Sequence, residues 1–360
     1  MAKLEDVCEI LDSKRVPITA KDRNPGPYPY YGANGIQDYV SDYIFDDELV
    51  LLAEDGGNFG SKEKPIAYRI SGKCWVNNHA HVLKPLPNIN VDYLCYSLMF
   101  YDVSSIVNGA TRQKLTQADM RTMEIPLLEL SEQKAIVNKL DNVTSLISLR
   151  QKQLEKLDEL VKSRFIEMFG DCKDTIALND LCSIITDGTH QPPKFQKEGI
   201  PFIFVSNLSD NKVTYKTEKF ISEETYNQLY ERTPIQYGDI LLSTVGSYGH
   251  PAVVVDKRKF LFQRHIAYLK PKSDLVNSFF LHSAILAPDG QRQIEERVKG
   301  IAQKTLNLSE IRKIRIPIPS IEEQNAFEDF IKQTDKSKLA VQKSITKCHH
   351  LTKKGANFHG

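Results

Sequence analysis

The sequence predicts an α+β fold in which two mixed α/β domains are separated by a pair of long antiparallel coiled-coil helices with pseudo-two-fold symmetry. Three observations lead to this prediction: a motif that occurs twice, a heptad pattern after each copy, and short β-branched and aromatic segments before each copy. The predicted boundaries are 1–130 for the first domain, 131–170 for the central helix, 171–319 for the second domain and 320–360 for the C-terminal helix.

The duplicated motif recurs with a constant offset. Gly109 and Leu115 correspond to Gly300 and Leu306 (300 − 109 = 191), and the Glu-Gln pair ending at Gln133 corresponds to the second Glu-Gln pair at the same offset. A repeat this long indicates a duplicated domain, because solenoid repeats are about 20–50 residues long. We therefore expect the protein to hold its ligand at two places.

A long central helix is predicted because apolar residues recur at alternating steps of four and three, interrupted by two arginines. These heptad positions are Ile136, Leu140, Val143, Ile147, Arg150, Leu154, Leu157, Val161, Arg164 and Met168. The matching C-terminal positions are Phe327, Ile331, Thr334, Lys338, Val341, Ile345, Cys348 and Thr352. The second pattern is weaker, so its helix should pack against the first, and an antiparallel pair would place the two domains at opposite ends.

Local signals predict the remaining elements. Buried strands are expected at 48–53, 238–243 and 251–255, where β-branched and aliphatic residues are bounded by turn residues. Thr116 and Asn307 should each cap a short helix that leads to a short strand ending at Pro126 or Pro317. Ser320 and Glu323 form a capping box at the start of the C-terminal helix.

Composition excludes several classes of protein. The net charge of +1 is too small for a protein that coats nucleic acid by bulk charge, so any DNA contact requires a local basic surface or a partner. No apolar run approaches the roughly 20 residues of a membrane span, and the N-terminus does not have the pattern of a signal peptide. Six scattered cysteines favour reduced, packed thiols and a cytoplasmic location.

Motifs for catalysis or cofactor binding are missing from the sequence. It contains no phosphate-binding glycine loop, no metal-spaced set of cysteine and histidine, and no complete methyltransferase or nuclease motif. The adjacent Glu54 and Asp55 could form an acidic pair in a site, but shaping the glycine turn that follows is the favoured interpretation. His79 and His265 occupy matching places and are expected to be structural or nucleic-acid contacts.

The sequence resembles the specificity subunits of type I restriction-modification systems. The resemblance depends on the repeated Gly-to-Gln unit followed by a long helix, on Tyr31-Gly-Ala-Asn-Gly35 with the glycines at 56, 57 and 60, and on Asp187-Gly-Thr-His190 with Gly199-Ile-Pro-Phe202. Gly238-Asp239 with Gly246 and Gly249 completes the set. Each motif is weak alone, but their order and duplication cover essentially the whole chain.

The resemblance implies two target-recognition domains that each read one half of a split sequence in double-stranded DNA. It implies that the helices act as a ruler and dock methyltransferase subunits, expected to be two. Restriction subunits are implied as further partners. The chain itself would be non-catalytic and bind no cofactor or metal, because S-adenosylmethionine, ATP and Mg would belong to the partner subunits.

Candidate DNA contacts are polar and aromatic residues on predicted loops. In the first domain they are Tyr30, Tyr31, Asn34, Asn58, Lys62, Asn77, Asn78, Arg112 and Lys114. In the second domain they are Thr189, His190, Lys194, Ser247, Tyr248, His250, Arg264, Gln303 and Lys304. Two alternatives remain open at this point: a DNA adenine methyltransferase or nuclease that acts alone, and a coiled-coil adaptor with no DNA role.

Overall fold

A computed structural model describes residues 1–61, 63–109, 112–300 and 304–356. The chain divides into two compact units. Unit 1 contains Met1–Lys152 and Val341–Gly360, and unit 2 contains Gln153–Ala340. Each unit therefore combines a mixed α/β domain with one part of each long helix.

The mixed α/β part of unit 1 contains eight described strands: β1 (Ala2–Lys3), β2 (Cys8–Ile10), β3 (Pro25–Gly32), β4 (Gly35–Val40), β5 (Phe45–Ala53), β6 (Ala67–Val76), β7 (Ala80–Pro85) and β8 (Glu124–Ile125). Its helices are α1 (Leu4–Val7), α2 (Val91–Met99), α3 (Gln117–Arg121) and the start of α4 (Leu130–Phe169). Six strands form one sheet in the order β2-β7-β5-β6-β3-β4, in which only β3 and β6 pair in parallel.

Strand β5 forms the centre of the unit 1 core. The predicted strand at 48–53 is confirmed, and its residues from Leu49 to Ala53 are fully buried. Such a continuous apolar run fits a strand covered on both faces, because side chains alternate between the two sides of the sheet. The short helix α3 also follows the prediction, since the Thr116 hydroxyl accepts a hydrogen bond from the Asp119 backbone N–H.

Unit 2 contains nine described strands: β9 (Thr175–Ala177), β10 (Cys182–Asp187), β11 (Ile200–Ile203), β12 (Phe220–Ile221), β13 (Ile240–Ser243), β14 (Pro251–Val253), β15 (Leu261–Phe262), β16 (Ile266–Pro271) and β17 (Arg315–Pro317). Its helices are the end of α4, α5 (Leu178–Leu181), α6 (Glu223–Tyr230), α7 (Ser278–Leu286), α8 (Pro288–Arg297), α9 (Leu308–Ile311) and most of α10 (Ile321–Ala356). The main sheet is antiparallel with the order β10-β16-β13-β14, and a second sheet has the order β12-β11-β15.

In both units, the first strand of the domain pairs with the last strand before the long helix. In unit 1 the first strand pairs with the strand before the long helix, with Ala2 opposite Ile125. In unit 2 the corresponding strands pair with Ile176 opposite Ile316. Ile125 and Ile316 differ by 191 residues, so the duplicated motif keeps the same structural role in both units.

The long helices run antiparallel within unit 2. The Lys338 ammonium lies 2.7 Å from the Asp158 carboxylate, and the rings of Phe165 and Phe327 are 5.5 Å apart. The residue number therefore rises along α4 as it falls along α10. The predicted heptad positions are buried or half-buried on both helices as far as side chains are described, including Arg150, Arg164 and Lys338. The side chain of Thr352 lies outside the described ones.

A buried glutamine joins α4 to the domain of unit 1. The Gln133 side chain is fully buried in the first turns of the helix. Its carbonyl oxygen accepts a hydrogen bond from the backbone N–H of Asn90 at 2.8 Å, and Asn90 is the N-cap of α2. Its amide nitrogen donates to the carbonyl oxygens of Asn88 at 3.0 Å and Leu128 at 2.8 Å. One side chain thus fixes the helix to two neighbouring segments.

The same joint occurs at the start of α10. Gln324 is fully buried, and its carbonyl oxygen accepts from the backbone N–H of Asn277 at 2.9 Å. Its amide nitrogen donates to the carbonyl oxygens of Leu275 at 3.3 Å and Pro319 at 3.0 Å. The predicted capping box is also present, because Ser320 and Glu323 exchange hydrogen bonds of 3.0 and 3.3 Å.

Candidate nucleic-acid interface

Three segments of unit 1 meet at the end of β5. The backbone N–H of Glu54 donates to the carbonyl of His79 at 2.8 Å, and the N–H of Leu115 donates to the carbonyl of Glu54 at 2.7 Å. These bonds join the glycine turn after β5, the β6–β7 turn and the duplicated motif. The side chains of the three segments are thereby presented at one end of the sheet.

Unit 2 builds its loops on the same backbone frame. The N–H of Thr244 donates to the carbonyl of His265 at 3.0 Å, and the N–H of Leu306 donates to the carbonyl of Thr244 at 2.8 Å. The loop from Thr189 is attached to this frame, since its carbonyl accepts from the N–H of Arg264 at 3.1 Å. His79 and His265 therefore occupy matching places in the two backbone frames, as the sequence predicted.

Asp55 holds two basic side chains in unit 1. Its Oδ1 atom lies 2.7 Å from Nδ1 of His79 and 2.6 Å from Nη2 of Arg112. The Asp55 side chain is 20% exposed, whereas that of Arg112 is 61% exposed. The carboxylate is thus a half-buried anchor for an arginine that projects from the surface.

Glu54 belongs to a separate, more buried network. Its carboxylate lies 2.6 Å from Nη1 of Arg15 and 2.9 Å from Nζ of Lys114. Buried His81 lies 2.6 Å from Asp12 through Nδ1, and its other ring nitrogen lies 3.0 Å from the carbonyl oxygen of Leu115. Glu54 and Asp55 therefore anchor Lys114 and Arg112, a role beyond the turn-shaping one that the sequence suggested.

The ligand atoms of Asp12, Glu54 and His81 lie within 4.8 Å of one another, a spacing that could suit a metal ion. The balance of charges around these atoms, however, does not suit a metal ion. The guanidinium of Arg15 contacts both carboxylates, and the ammonium of Lys114 contacts one of them. These two cations already neutralise the anions, so the residues form an ion-pair network and do not fit a cation site.

The buried network affects the acid stability of unit 1. Burial acts to raise the pKa of the Asp12 carboxyl, but hydrogen bonding and charge attraction from His81 and a hydrogen bond from the Val82 N–H outweigh it. The pKa of Asp12 is consequently lowered. Its contribution to stability is complete above the unfolded-state pKa of about 3.9 and is lost as the pH falls through the lower folded-state pKa.

We expect Asp12→Asn to destabilise unit 1 at pH 7 by about 1–3 kcal/mol, because buried hydrogen bonds to a charged group are lost. The difference from the unmodified protein should shrink below pH 4. Urea unfolding at pH 7 and at pH 3.5 measures both effects. The exposed Asp6→Asn serves as the control, and equal losses for the two variants at pH 7 would contradict the role of Asp12.

Asp187 forms a similar arrangement in unit 2. Its carboxylate lies 2.7 Å from Nε2 of His190 and 2.8 Å from Nη2 of Arg232. Arg232 was not predicted from the sequence, because it lies 45 residues from Asp187 on a segment without a motif. The ion pair between Arg232 and Asp187 is therefore visible only in the folded structure.

A second polar cluster in unit 2 joins Tyr248 and Lys304 to Glu295 of α8. The Lys304 ammonium contacts Glu295 at 2.8 Å and the Tyr248 hydroxyl at 3.3 Å, and the same hydroxyl donates to Glu295. Hydrogen bonding to Glu295 raises the pKa of Lys304, which keeps the ammonium charged. Nearby, burial and then the charge of Arg264 lower the pKa of His265, which favours the neutral imidazole at pH 7.

Burial separates the predicted contact residues into groups. Tyr30 and Asn77 are buried, with 1% and 3% exposure, and serve the fold. The Tyr30 hydroxyl accepts from the Ile18 N–H, and the Asn77 side chain hydrogen-bonds Gln37 and the His79 N–H. We correct these two predictions, because neither side chain can reach DNA from the interior.

Several predicted residues take part in loop structure while remaining partly or fully accessible. Asn34 donates to the Gly56 carbonyl at 2.9 Å, and Asn58 donates to the Pro65 carbonyl at 3.2 Å. The remaining predicted residues are exposed or half-buried: Tyr31, Asn78, Arg112, Lys114, Thr189, His190, Lys194, Ser247, Tyr248, His250, Arg264 and Lys304. Lys62 and Gln303 lie outside the residues that the structure describes.

In the described part of the chain, no helix is both long and apolar enough to cross a lipid bilayer.

A structure described as the basis of complex assembly and conformational transition of the type I R-M system has a TM-score of 0.60 and 17% identity, covering 99% of this chain and 96% of that one. That similarity supports the same fold, with two mixed domains and two long helices.

Relatives at the sequence level are named as specificity subunits. The chain is 28% identical over 380 residues to a putative type I restriction enzyme specificity subunit of Haemophilus influenzae, covering 99% of this chain and 94% of that protein. It is 22% identical over 395 residues to the MjaVIII specificity subunit of Methanocaldococcus jannaschii, covering 98% and 91%. The family model for the type I restriction modification DNA specificity domain matches residues 1–159 and 172–347. Since those matches cover most of its length, the chain belongs to the type I restriction-modification DNA specificity family.

Proposed function

We propose that the chain reads a bipartite DNA sequence, with residues 1–130 recognising one half and residues 171–319 the other. The observation that carries this proposal is the shared backbone frame with different side chains on it. The turns at Glu54 and Thr244 make the same two backbone hydrogen bonds, yet one frame presents Arg112 and Lys114 and the other presents Arg264 and Lys304. The same backbone frame with different polar side chains is what we expect of two domains that recognise different half-sites.

The long helices would set the distance between the two half-sites. Helix α4 has 40 residues, which corresponds to about 60 Å at 1.5 Å per residue. One turn of B-DNA is about 34 Å, so a rod of this length is sufficient to hold two readers about one turn apart. Deletion of whole heptads should therefore change the gap without altering the half-sites.

We expect removal of one heptad from each helix, residues 155–161 and 335–341, to shorten the recognised gap by about three base pairs. Seven residues span about 10.5 Å of helix, and each base pair adds about 3.4 Å. The Asp158–Lys338 ion pair lies inside the deleted blocks, so the two deletions face each other. Selection from randomised duplexes by the complex with methyltransferase subunits measures the gap.

The control adds one heptad to each helix at the same place, and the gap should then lengthen. Unchanged half-sites with a shifted gap would support the spacing role. An unchanged gap in both variants would overturn the spacing role. If the complex with the unmodified chain selects no sequence, the proposed recognition of DNA is overturned.

Apolar residues on the outer faces of the helices support docking of two methyltransferase subunits. Leu146 and Leu149 of α4 are 38% and 62% exposed within unit 1. Leu160 of α4 and Leu339 of α10 are 48% and 52% exposed within unit 2. These leucines do not occupy the heptad positions, so they are free to be covered by partner subunits. Restriction subunits would join the same complex, and S-adenosylmethionine, ATP and Mg would bind to the partners.

A further inference from the structure

Unit 1 presents an exposed arginine that is fixed by a carboxylate. Nη2 of Arg112 lies 2.6 Å from Asp55, whose other neighbour is His79 at 2.7 Å. The imidazole and the guanidinium contact the same carboxylate oxygen, so the half-buried carboxylate restricts the long arginine side chain. Because side-chain ordering opposes binding, an arginine held in this way loses less entropy when it meets a ligand.

Unit 2 presents the same three kinds of side chain around one carboxylate, although there the histidine and the arginine meet different carboxylate oxygens. Nη2 of Arg232 lies 2.8 Å from Asp187, and His190 lies 2.7 Å from the same carboxylate. The side chains of Asp187 and Arg232 are 19% and 53% exposed, close to the values of 20% and 61% in unit 1. Each unit therefore combines a shielded aspartate with a projecting arginine.

The second arrangement is not a copy of the first by duplication. The offset of 191 residues takes Asp55 to Gly246 and Arg112 to Gln303, neither of which is part of the Asp187 group. In unit 2 the arginine follows α6, which lies between β12 and β13 in the chain. The same combination has been assembled from different segments, which argues for a shared task and against simple inheritance.

The carboxylate decides between two DNA targets for these arginines. A phosphate is anionic, and a carboxylate within 3 Å of the guanidinium both reduces its net attraction for phosphate and repels it. The guanine acceptors O6 and N7 are neutral and are met by two parallel N–H donors of an arginine. With one N–H of Nη2 engaged by the aspartate, the guanidinium still has four others to donate. The arrangement therefore favours a base edge over the backbone.

We infer that Arg112 and Arg232 each read a guanine in the major groove, one in each half-site, with Asp55 and Asp187 as positioning residues. This inference rests on the proposed bipartite reading of DNA and makes it more specific. Each recognised half-site contains at least one G·C pair that depends on its own arginine. The two arginines act on different half-sites, so each substitution leaves the other half-site as an internal standard.

The test compares sequence selection by complexes assembled with methyltransferase subunits, using a library of randomised duplexes. Arg112→Lys keeps the charge but removes the bidentate donor pair. We expect discrimination at one G·C position of one half-site to fall about tenfold or more, with the other half-site unaltered. Arg232→Lys should do the same in the other half-site.

Two further arginines provide matched controls. Arg69 is 41% exposed and pairs with Glu48 and Asp92, and Arg258 is 52% exposed and pairs with Asp256. Both carry carboxylate partners, and neither belongs to the segments that are joined by backbone hydrogen bonds at Glu54 or Thr244. Arg69→Lys and Arg258→Lys should leave every position of the selected motif unchanged.

The positioning role has its own readout. Asp55→Asn and Asp187→Asn remove a negative charge, so binding to duplexes that lack the motif should strengthen while discrimination at the same G·C position falls. A purely structural role for the aspartates would weaken both kinds of binding together.

Four results would overturn the inference. A wild-type motif with no G·C pair in one half-site, or lysine variants that keep full discrimination, would leave the bipartite reading intact and remove guanine recognition by these arginines. Equal weakening of all duplexes by the lysine variants would assign the arginines to phosphate contacts. A wild-type complex that selects no motif would remove the proposed function and this inference together.

Discussion

Replacement of Phe327 with alanine should lower the free energy of unfolding of unit 2 by about 3–5 kcal/mol. The Phe327 ring is fully buried and lies 5.5 and 5.6 Å from the rings of Phe165 and Phe169. Those two rings also pack on Phe280 of α7. Alanine would leave a cavity among aromatic rings that join both helices to the domain. Urea unfolding followed by circular dichroism measures the loss.

A neighbouring phenylalanine provides the control for this prediction. Phe330 is half-buried on the same helix and stacks on Phe327 at 6.5 Å. Phe330→Ala should cost clearly less, because much of the space that it leaves is open to water. Losses of equal size for the two variants would show that the rings around Phe327 do not form the joint between helices and domain.

Replacement of Gln324 with leucine should destabilise unit 2 by about 2–4 kcal/mol, although leucine is apolar and has a similar size. The amide makes three hydrogen bonds to backbone groups, and leucine would leave all three groups buried without that partner. Gln133→Leu should have a matching effect on unit 1, where the amide makes the corresponding three bonds. Thermal unfolding of each variant measures both effects.

An exposed glutamine on α4 separates this effect from helix propensity. Gln151 lies on the surface, so Gln151→Leu should change stability by less than about 0.5 kcal/mol. A destabilisation of the same size as that of Gln324→Leu would contradict the role of the buried joint. Stability that is unchanged by Gln133→Leu and Gln324→Leu would contradict it as well.

The sequence was sufficient to predict the elements with strong periodicity or local chemistry. The heptad positions whose side chains are described are buried or half-buried on both helices, and the Ser320 capping box forms. Arg150 and Arg164 broke the apolar pattern in the sequence, yet they keep its phase in the structure. Period and phase were therefore better guides to the helix surface than the polarity of any single residue.

The candidate site was harder to predict, because its contacts join residues that are distant in sequence. Asp187 lies at the end of β10 and Arg232 follows α6, so only the fold brings them together, and no local pattern marks the arginine. Asn77 looked like a loop amide but is buried, since its side chain is needed by the adjacent turn. Residue type and a loop position together do not distinguish a reading group from a supporting one.

The paired glutamines also have a mechanical consequence. A reader mounted on a long rod is accurate only if the angle at its base is fixed, because a small rotation there produces a larger displacement at the far loops. Successive base pairs are separated by only about 3.4 Å. A flexible attachment between helix and domain would therefore let the loops contact more than one base pair. Gln133 and Gln324 each hydrogen-bond the first turns of a helix to two domain segments. These bonds fix the angle between each helix and its domain, which limits the displacement of the loops.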